Sequence, residues 1–282
     1  MCNPNISITD LEDLINNNVL SEKNIDEVLI NKFILSLKDH VNLFIEKNKN
    51  STNIRLIINN LKKEFPKYLQ KTGHSLRTQF KKSTLLFYYK KMVANQLIEE
   101  NKFLELMLMK APSRDISGIN QITILTSPRP DGQTFSCKHD CFYCPNEPAH
   151  EGNNFTPQPR SYLYSEPAVL RANHNKFKPL DQTYDRLQQL LICGHKCDKL
   201  EFIIEGGTFT EYPKPYLIRF FRDFIYTCNE FYEMIKYSPY SSELRPKKSL
   251  QEEIKINKKE RYKNKKEIKT WQQTQCTNSM FT

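Results

Sequence analysis

Three thiols stand within eight residues in Cys137-Lys-His-Asp-Cys141-Phe-Tyr-Cys144-Pro145, at CxxxCxxC spacing with an aromatic before the last. Thiolates this close can converge on one soft metal centre, whereas disulfides among them would close loops too short to add much stability. A closed structural zinc site needs four protein ligands; three thiolates on a four-iron cluster leave one iron open to bind and activate a further group. Three readings follow from the residues: an iron–sulfur cluster, a zinc site completed by His139 or His150, and unliganded thiols. The aromatic pair Phe142-Tyr143 could shield a cofactor, and no second CxxC pair supplies the other half of a zinc ribbon, which favours the cluster. Cys193 and Cys197 repeat the CxxxC spacing at a helix end and read as incidental.

The elements that must position this loop are legible on both sides of it. Gln121–Thr126 has a β-type pattern, with apolar Ile122, Ile124 and Leu125, and Ser127-Pro-Arg-Pro-Asp-Gly132 breaks it directly before the first cysteine. A strand delivering such a loop is the arrangement at the C-terminal face of a parallel α/β barrel. Residues 151–179 read as a long ordered loop entering a short helix, and Leu180–Cys193 as a helix with Gly194 as its C-terminal cap. Leu200–Ile204 is then a second strand, ended by Glu205-Gly206-Gly207, and an amphipathic helix covers Pro215–Met234. No glycine follows Gly207, so few further strand–helix units are expected. The fold class is therefore α/β: a partial barrel, its strand edges unpaired, preceded by an all-helical region.

That helical region covers residues 1–110. Helices are expected at Ser7–Asn16, Asn24–Lys47, Ser51–Glu64 with an end near Pro66, and Ser75–Met109 with a break. Between Lys62 and Lys91 nine basic residues (Lys62, Lys63, Lys67, Lys71, Arg77, Lys81, Lys82, Lys90 and Lys91) face one acid, Glu64. Phe65, Tyr68, Phe80, Phe87, Tyr88 and Tyr89 are interleaved with them. Such a run is often a solvated helix face. Alternatively, the cations neutralise phosphates while the aromatics stack on unpaired bases, as single-stranded RNA is held. The formal net charge of +10 agrees with a polyanionic partner. Residues 111–242 carry the cysteine and glycine motifs. Residues 243–282 are Lys-rich and are expected to be a fraying helix or disordered. The N-terminus lacks a basic and an apolar signal region, no apolar run reaches membrane-spanning length, and the eight cysteines are unevenly spread. A reducing, cytoplasmic location with no membrane association is expected.

The cysteine spacing resembles the signature of the radical S-adenosylmethionine enzymes, and Gly206-Gly207 resembles their glycine motif at the end of the second strand. More narrowly, Arg114-Asp-Ile-Ser117-Gly118, Cys144-Pro145, Ser161-Tyr162-x-x-x-Glu166-Pro167, Arg171-Ala172, Gly194-His195-x-x-Asp198-Lys199-x-Glu201-Phe202-Ile203-Ile204 and Gly206-Gly207-Thr208-Phe209 together resemble the catalytic subunit of Elongator. That resemblance runs from about residue 111 to 225. It implies a radical S-adenosylmethionine (SAM) tRNA carboxymethyluridine synthase, an acyltransferase that uses acetyl-CoA to build a 5-carboxymethyl group on the wobble uridine of tRNA. By position, Cys137, Cys141 and Cys144 would ligate a [4Fe-4S] cluster, Gly206 and Gly207 would contact SAM, and Lys199 would contact acetyl-CoA. As a plain strand-edge lysine, Lys199 would face water. Implied partners are tRNA, other Elongator-type subunits and a separately supplied acetyltransferase domain. The chain departs from eukaryotic members in a shorter gap between the first two cysteines and in Asn146-Glu147 after Pro145. It also lacks an acetyltransferase domain, so truncation is expected. The competing class is a non-catalytic tRNA-binding or assembly module whose cysteines hold structural zinc or a structural cluster.

Overall fold

The computed structural model describes residues 27–49, 54–71, 81–110, 118–195, 197, 199–237 and 248–263. The expected helix at Ser7–Asn16, Arg77, Phe80, the Arg114–Ser117 motif, Asp198 and the tail after Lys263 lie outside the described residues. The chain divides into two compact units. One takes Asn5–Asn120 together with Leu187–Glu201; the other takes Gln121–Arg186 and the residues from Phe202 onward.

Among the described residues the N-terminal part of the first unit forms α1 (Glu27–Lys47), α2 (Ile54–Lys71), α3 (Lys82–Ala94) and α4 (Lys102–Leu108). Ile30, Ile34, Leu37 and Val41 recur at helical spacing and bury one stripe of α1 against Leu61, Phe65, Leu69, Leu85, Tyr89 and Met107 from the other three. α2 does not stop near Pro66. The proline sits inside the helix, because Phe65, Tyr68 and Leu69 continue the apolar stripe past it and are buried. Their packing outweighs the lost backbone hydrogen bond. The long helix expected over Ser75–Met109 is two helices. The break is held by Tyr89, whose hydroxyl receives the Asn101 N–H at 2.6 Å and donates to the Asn101 carbonyl at 3.2 Å. Asn101 then caps α4, its side chain accepting from Leu104 N–H at 3.0 Å.

The second unit is built on β1 (Asn120–Leu125), α5 (Pro167–His174), α6 (Pro179–Ile192), β2 (Leu200–Glu205), α7 (Lys214–Tyr237) and α8 (Leu250–Lys263), of which β1, α6 and β2 begin or end in the first. β1 and β2 pair as a two-stranded sheet. Asn120 N–H donates to Lys199 C=O and Thr126 N–H to Glu205 C=O, an equal advance on both strands that makes the pairing parallel. Among the described residues the sheet has these two strands and no closed barrel. The open edge of β1 is nevertheless not bare. The Gln182 amide donates to the Leu125 carbonyl and accepts from its N–H, both at 2.9 Å, and Arg171 donates to Thr123 C=O at 2.7 Å. Gln182 is fully buried, so a side chain does there what a third strand would do.

α6 ends as Gly194 predicts. Gly194 has φ +88°, its N–H donates to Leu191 C=O and that of His195 to Leu190 C=O, a Schellman cap. The Lys-rich segment does form a helix over part of its length. Ser249 and Glu252 make a capping box at its start, the Glu252 carboxylate accepting from Ser249 N–H at 2.8 Å. None of the described helices is long and apolar enough to cross a membrane.

Candidate metal centre

The cysteine loop leaves the C-terminal end of β1, and the Gly206-Gly207 turn leaves the same end of β2. These two features touch. A Cβ on Gly207 would overlap the backbone carbonyl of Ser136, the residue before Cys137, and a Cβ on Gly206 would overlap Thr126 Oγ1. Gly206 also has φ +151°, which side-chain-bearing residues rarely adopt. Two glycines therefore let the end of β2 lie directly against the root of the cysteine loop.

Hydroxyl groups lock this junction. Tyr212 Oη stands 2.6 Å from Thr126 Oγ1 and accepts the Gly207 N–H at 2.6 Å. Tyr216 Oη accepts the Ser127 N–H at 2.8 Å. Burial raises the pKa of both phenols, so they stay protonated and available as hydrogen-bond partners. Burial and then the nearby Glu166 raise the Glu205 carboxyl, while Arg171 opposes them.

All three candidate ligands are partly exposed thiols. Cys137 Sγ lies 3.0 Å from Thr208 Oγ1, and that hydroxyl holds the thiol below its ordinary value. Cys144 Sγ lies 2.8 Å from Ser161 Oγ. A hydrogen bond to Cys141 pushes the Tyr143 hydroxyl up. Among the described residues no three His, Cys, Asp or Glu side chains are gathered closely enough to hold a metal. The thiols share one loop and one end of the sheet, each beside a hydroxyl, rather than a common centre. Their donor chemistry fits a thiophilic group: three soft ligands, one with a lowered pKa, on a loop of eight residues. Phe142 and Tyr143 are largely exposed to solvent.

The loop after the cysteines is organised by Glu147. Its carboxylate accepts from Tyr164 N–H (2.7 Å) and Asn153 Nδ2 (3.1 Å) and bonds to His150 Nε2 (3.0 Å). Burial raises Glu147, but these donors outweigh it and leave the carboxyl low. His150 is thereby occupied at Nε2, and its Nδ1 accepts the Gly152 N–H at 3.0 Å. Of the two histidines that could complete a zinc site, His139 and His150, the latter is spent on the loop. Glu147, Thr208, Ser161 and Tyr212 are the functional-site residues that ligand spacing did not single out. Thr208 and Ser161 did lie inside quoted motifs, whereas nothing in the pattern marked Glu147 or Tyr212.

Lys199 immediately precedes β2, one strand length from the glycines that follow it. Its backbone carbonyl accepts Asn120 N–H. The basic stretch is divided in use. Lys82 donates to Met107 C=O at 2.8 Å and lies over the Phe65 ring, and burial followed by the charge of Lys62 lowers its pKa. Lys67 pairs with Glu64, Lys90 with Glu105 and Lys91 with Glu27. Lys63, Lys71 and Lys81 are exposed, and Lys62 is half-buried. Phe65, Tyr68, Phe87 and Tyr89 are buried, which corrects the expectation that they stack on bases; Tyr88 is half-buried. Phe65, Tyr68 and Tyr89 belong to the core of the helical unit and Tyr88 packs against it, because their spacing places them on the helix faces that meet.

No family model matches the chain. It is similar to Elongator complex protein 3 of Homo sapiens, 35% identical over 139 residues, which cover 48% of this chain and 25% of that protein. It is also similar to tRNA uridine(34) acetyltransferases of Methanocaldococcus jannaschii, 40% identical over 112 residues (39% of this chain, 19% of that protein), and of Methanocaldococcus infernus, 36% identical over 160 residues (56% and 26%). The matches thus span about a quarter of the length of these relatives or less. About half of the chain is homologous to one part of the Elongator catalytic subunit, in agreement with the resemblance carried by its motifs.

Proposed function

We propose that this chain carries part of a tRNA wobble-uridine-modifying radical SAM enzyme, in which residues 111–242 form strands and helices of a βα barrel and residues 1–110 contribute to holding tRNA. Cys137, Cys141 and Cys144 would hold a [4Fe-4S] cluster, Gly206 and Gly207 would lie against SAM, and Lys199 would meet acetyl-CoA. Together the cluster and SAM supply one-electron chemistry that amino-acid side chains lack. The observation that carries the reading is the contact between the cysteine loop and the Gly206-Gly207 turn at one end of a parallel strand pair. The similarity to proteins named tRNA uridine(34) acetyltransferase supplies the substrate class.

The chain's own residues have definite tasks in this scheme. Tyr212 and Thr126 fix the glycine turn so that its backbone stays narrow. Thr208 stands beside Cys137, where its hydroxyl favours the thiolate over the thiol, and Ser161 stands beside Cys144. Lys63, Lys71 and Lys81 are the exposed cations for phosphate contacts.

The test is reductive cleavage of SAM by the anaerobically reconstituted chain. With dithionite as electron source, the reading expects methionine and 5′-deoxyadenosine to accumulate, and Cys→Ser at any of the three positions to abolish this. Iron loading without any cleavage would remove the enzymatic reading and leave the module with a structural centre.

A further inference from the structure

Residues 160 and 161 reach both ends of the cysteine triplet. The Arg160 N–H donates to Ser136 Oγ at 2.9 Å, and its guanidinium Nη2 pairs with Asp140 at 2.7 Å. Ser136 precedes Cys137 and Asp140 precedes Cys141, so one residue grips the loop on both sides of its first thiol. The next residue takes the other end. Ser161 Oγ lies 2.8 Å from Cys144 Sγ, and its N–H donates to Pro145 C=O at 3.1 Å. For both neighbours to face the loop the chain must turn sharply, and Ser161 does so at φ +74°, in the left-handed region disfavoured for a residue with a Cβ. Local strain of this kind persists where surrounding contacts over-determine it, and it concentrates at functional sites.

The ion pair does not look like a device for stability. Asp140 is 83% exposed, and pairs with one partner in water contribute little. Arg160, by contrast, is drawn in to 17% exposure, with Nη1 buried and lacking a hydrogen-bond partner. An unpaired buried donor is unfavourable, so the guanidinium is held there for the contact that Nη2 makes.

We propose that Arg160 is a positioning residue of the cysteine loop: with Ser161 it braces Ser136, Asp140, Cys144 and Pro145, setting the spacing from which the three thiols take up their metal group. What the thiols hold rests on the function proposed above, whereas the brace is a property of the metal-free chain. The two are therefore separable by experiment. The full-length reduced, metal-free protein would be labelled with N-ethylmaleimide, and the rate at each cysteine read by mass spectrometry, for wild type, Arg160→Ala, Arg160→Lys and Asp140→Ala. Cys228, buried in α7, is the internal reference for global unfolding.

Asp140→Ala and Arg160→Ala should each accelerate labelling of Cys137 and Cys141 by about fivefold, the local opening expected on losing one net hydrogen bond. Arg160→Lys should fall between them and wild type, and Cys228 should not change. Iron taken up on anaerobic reconstitution should fall in the same order. If Arg160→Ala also exposes Cys228, the surface variant Asp140→Ala carries the test. Wild-type labelling rates in Asp140→Ala would overturn the brace, whatever the thiols bind. Altered labelling with no iron uptake by wild type would uphold the brace and remove the cluster.

Discussion

The basic helical stretch and the cysteine loop present the same kind of sequence evidence, a dense run of chemically capable side chains, and the structure treats them in opposite ways. In the helices Phe65, Tyr68 and Tyr89 are consumed by the core, Phe87 is buried, and Lys82, Lys90 and Lys91 are engaged by Met107 C=O, Glu105 and Glu27. In the loop all three thiols remain partly exposed, and residues between and beyond them do the holding. The difference lies in periodicity. Aromatics that recur at helical spacing are drawn onto the buried stripe, whereas a loop broken by Ser127-Pro-Arg-Pro has no periodic face to bury and must be fixed by hydrogen bonds. A residue's type predicts chemistry only where its side chain escapes packing.

The largest expected effect falls at the junction beneath the loop. Gly206→Ala forces a Cβ onto Thr126 and Tyr212 at φ +151° and should destabilise the chain by on the order of 3 kcal/mol. A urea midpoint unchanged from wild type would mean that the turn tolerates bulk and is not the tight contact described. In the helical region, Lys82→Ala should cost about 1–2 kcal/mol through the Met107 carbonyl and the Phe65 face. Lys63→Ala should change stability by less than about 0.5 kcal/mol yet weaken salt-dependent tRNA binding. Equal stabilities for the two variants would erase the distinction between structural and exposed lysines. Lys82 also has a lowered pKa in the fold. The unfolded chain therefore binds more protons, and wild-type stability should rise with pH through the alkaline window in a way that Lys82→Ala does not reproduce.

Glu147→Gln should destabilise the chain by about 1 kcal/mol. Glu147 is held below 4.5 in the fold, so its contribution is present above the unfolded value and is lost as pH falls through the folded one. Denaturation midpoints of wild type and Glu147→Gln should differ near neutrality and converge in acid. A difference that persists undiminished in acid would show that the carboxylate charge is not what organises the loop.

Much of the fold was legible because it rests on pattern. β1, β2, the helix cap at Gly194 and the amphipathic α7 all follow from periodicity and turn chemistry. Pro66 misled because its local preference opposed a stripe that continues through Leu69, and tertiary packing decided. The three cysteines and the glycine pair were legible by type and spacing. Arg160, Glu147 and Gln182 were not, since each acts on a backbone or side chain brought near only by folding: Gln182 closes the edge of β1 from 57 positions away. The same cause hid the covered edge, which sequence alone left as an unpaired strand.

The most direct test of the whole account is the iron and sulfide content of the anaerobically reconstituted chain, measured beside its Cys137→Ser, Cys141→Ser and Cys144→Ser variants. The account predicts about four irons and four sulfides per chain in wild type and severe loss in each variant. One equivalent of zinc in place of iron, or iron uptake indifferent to all three substitutions, would contradict it.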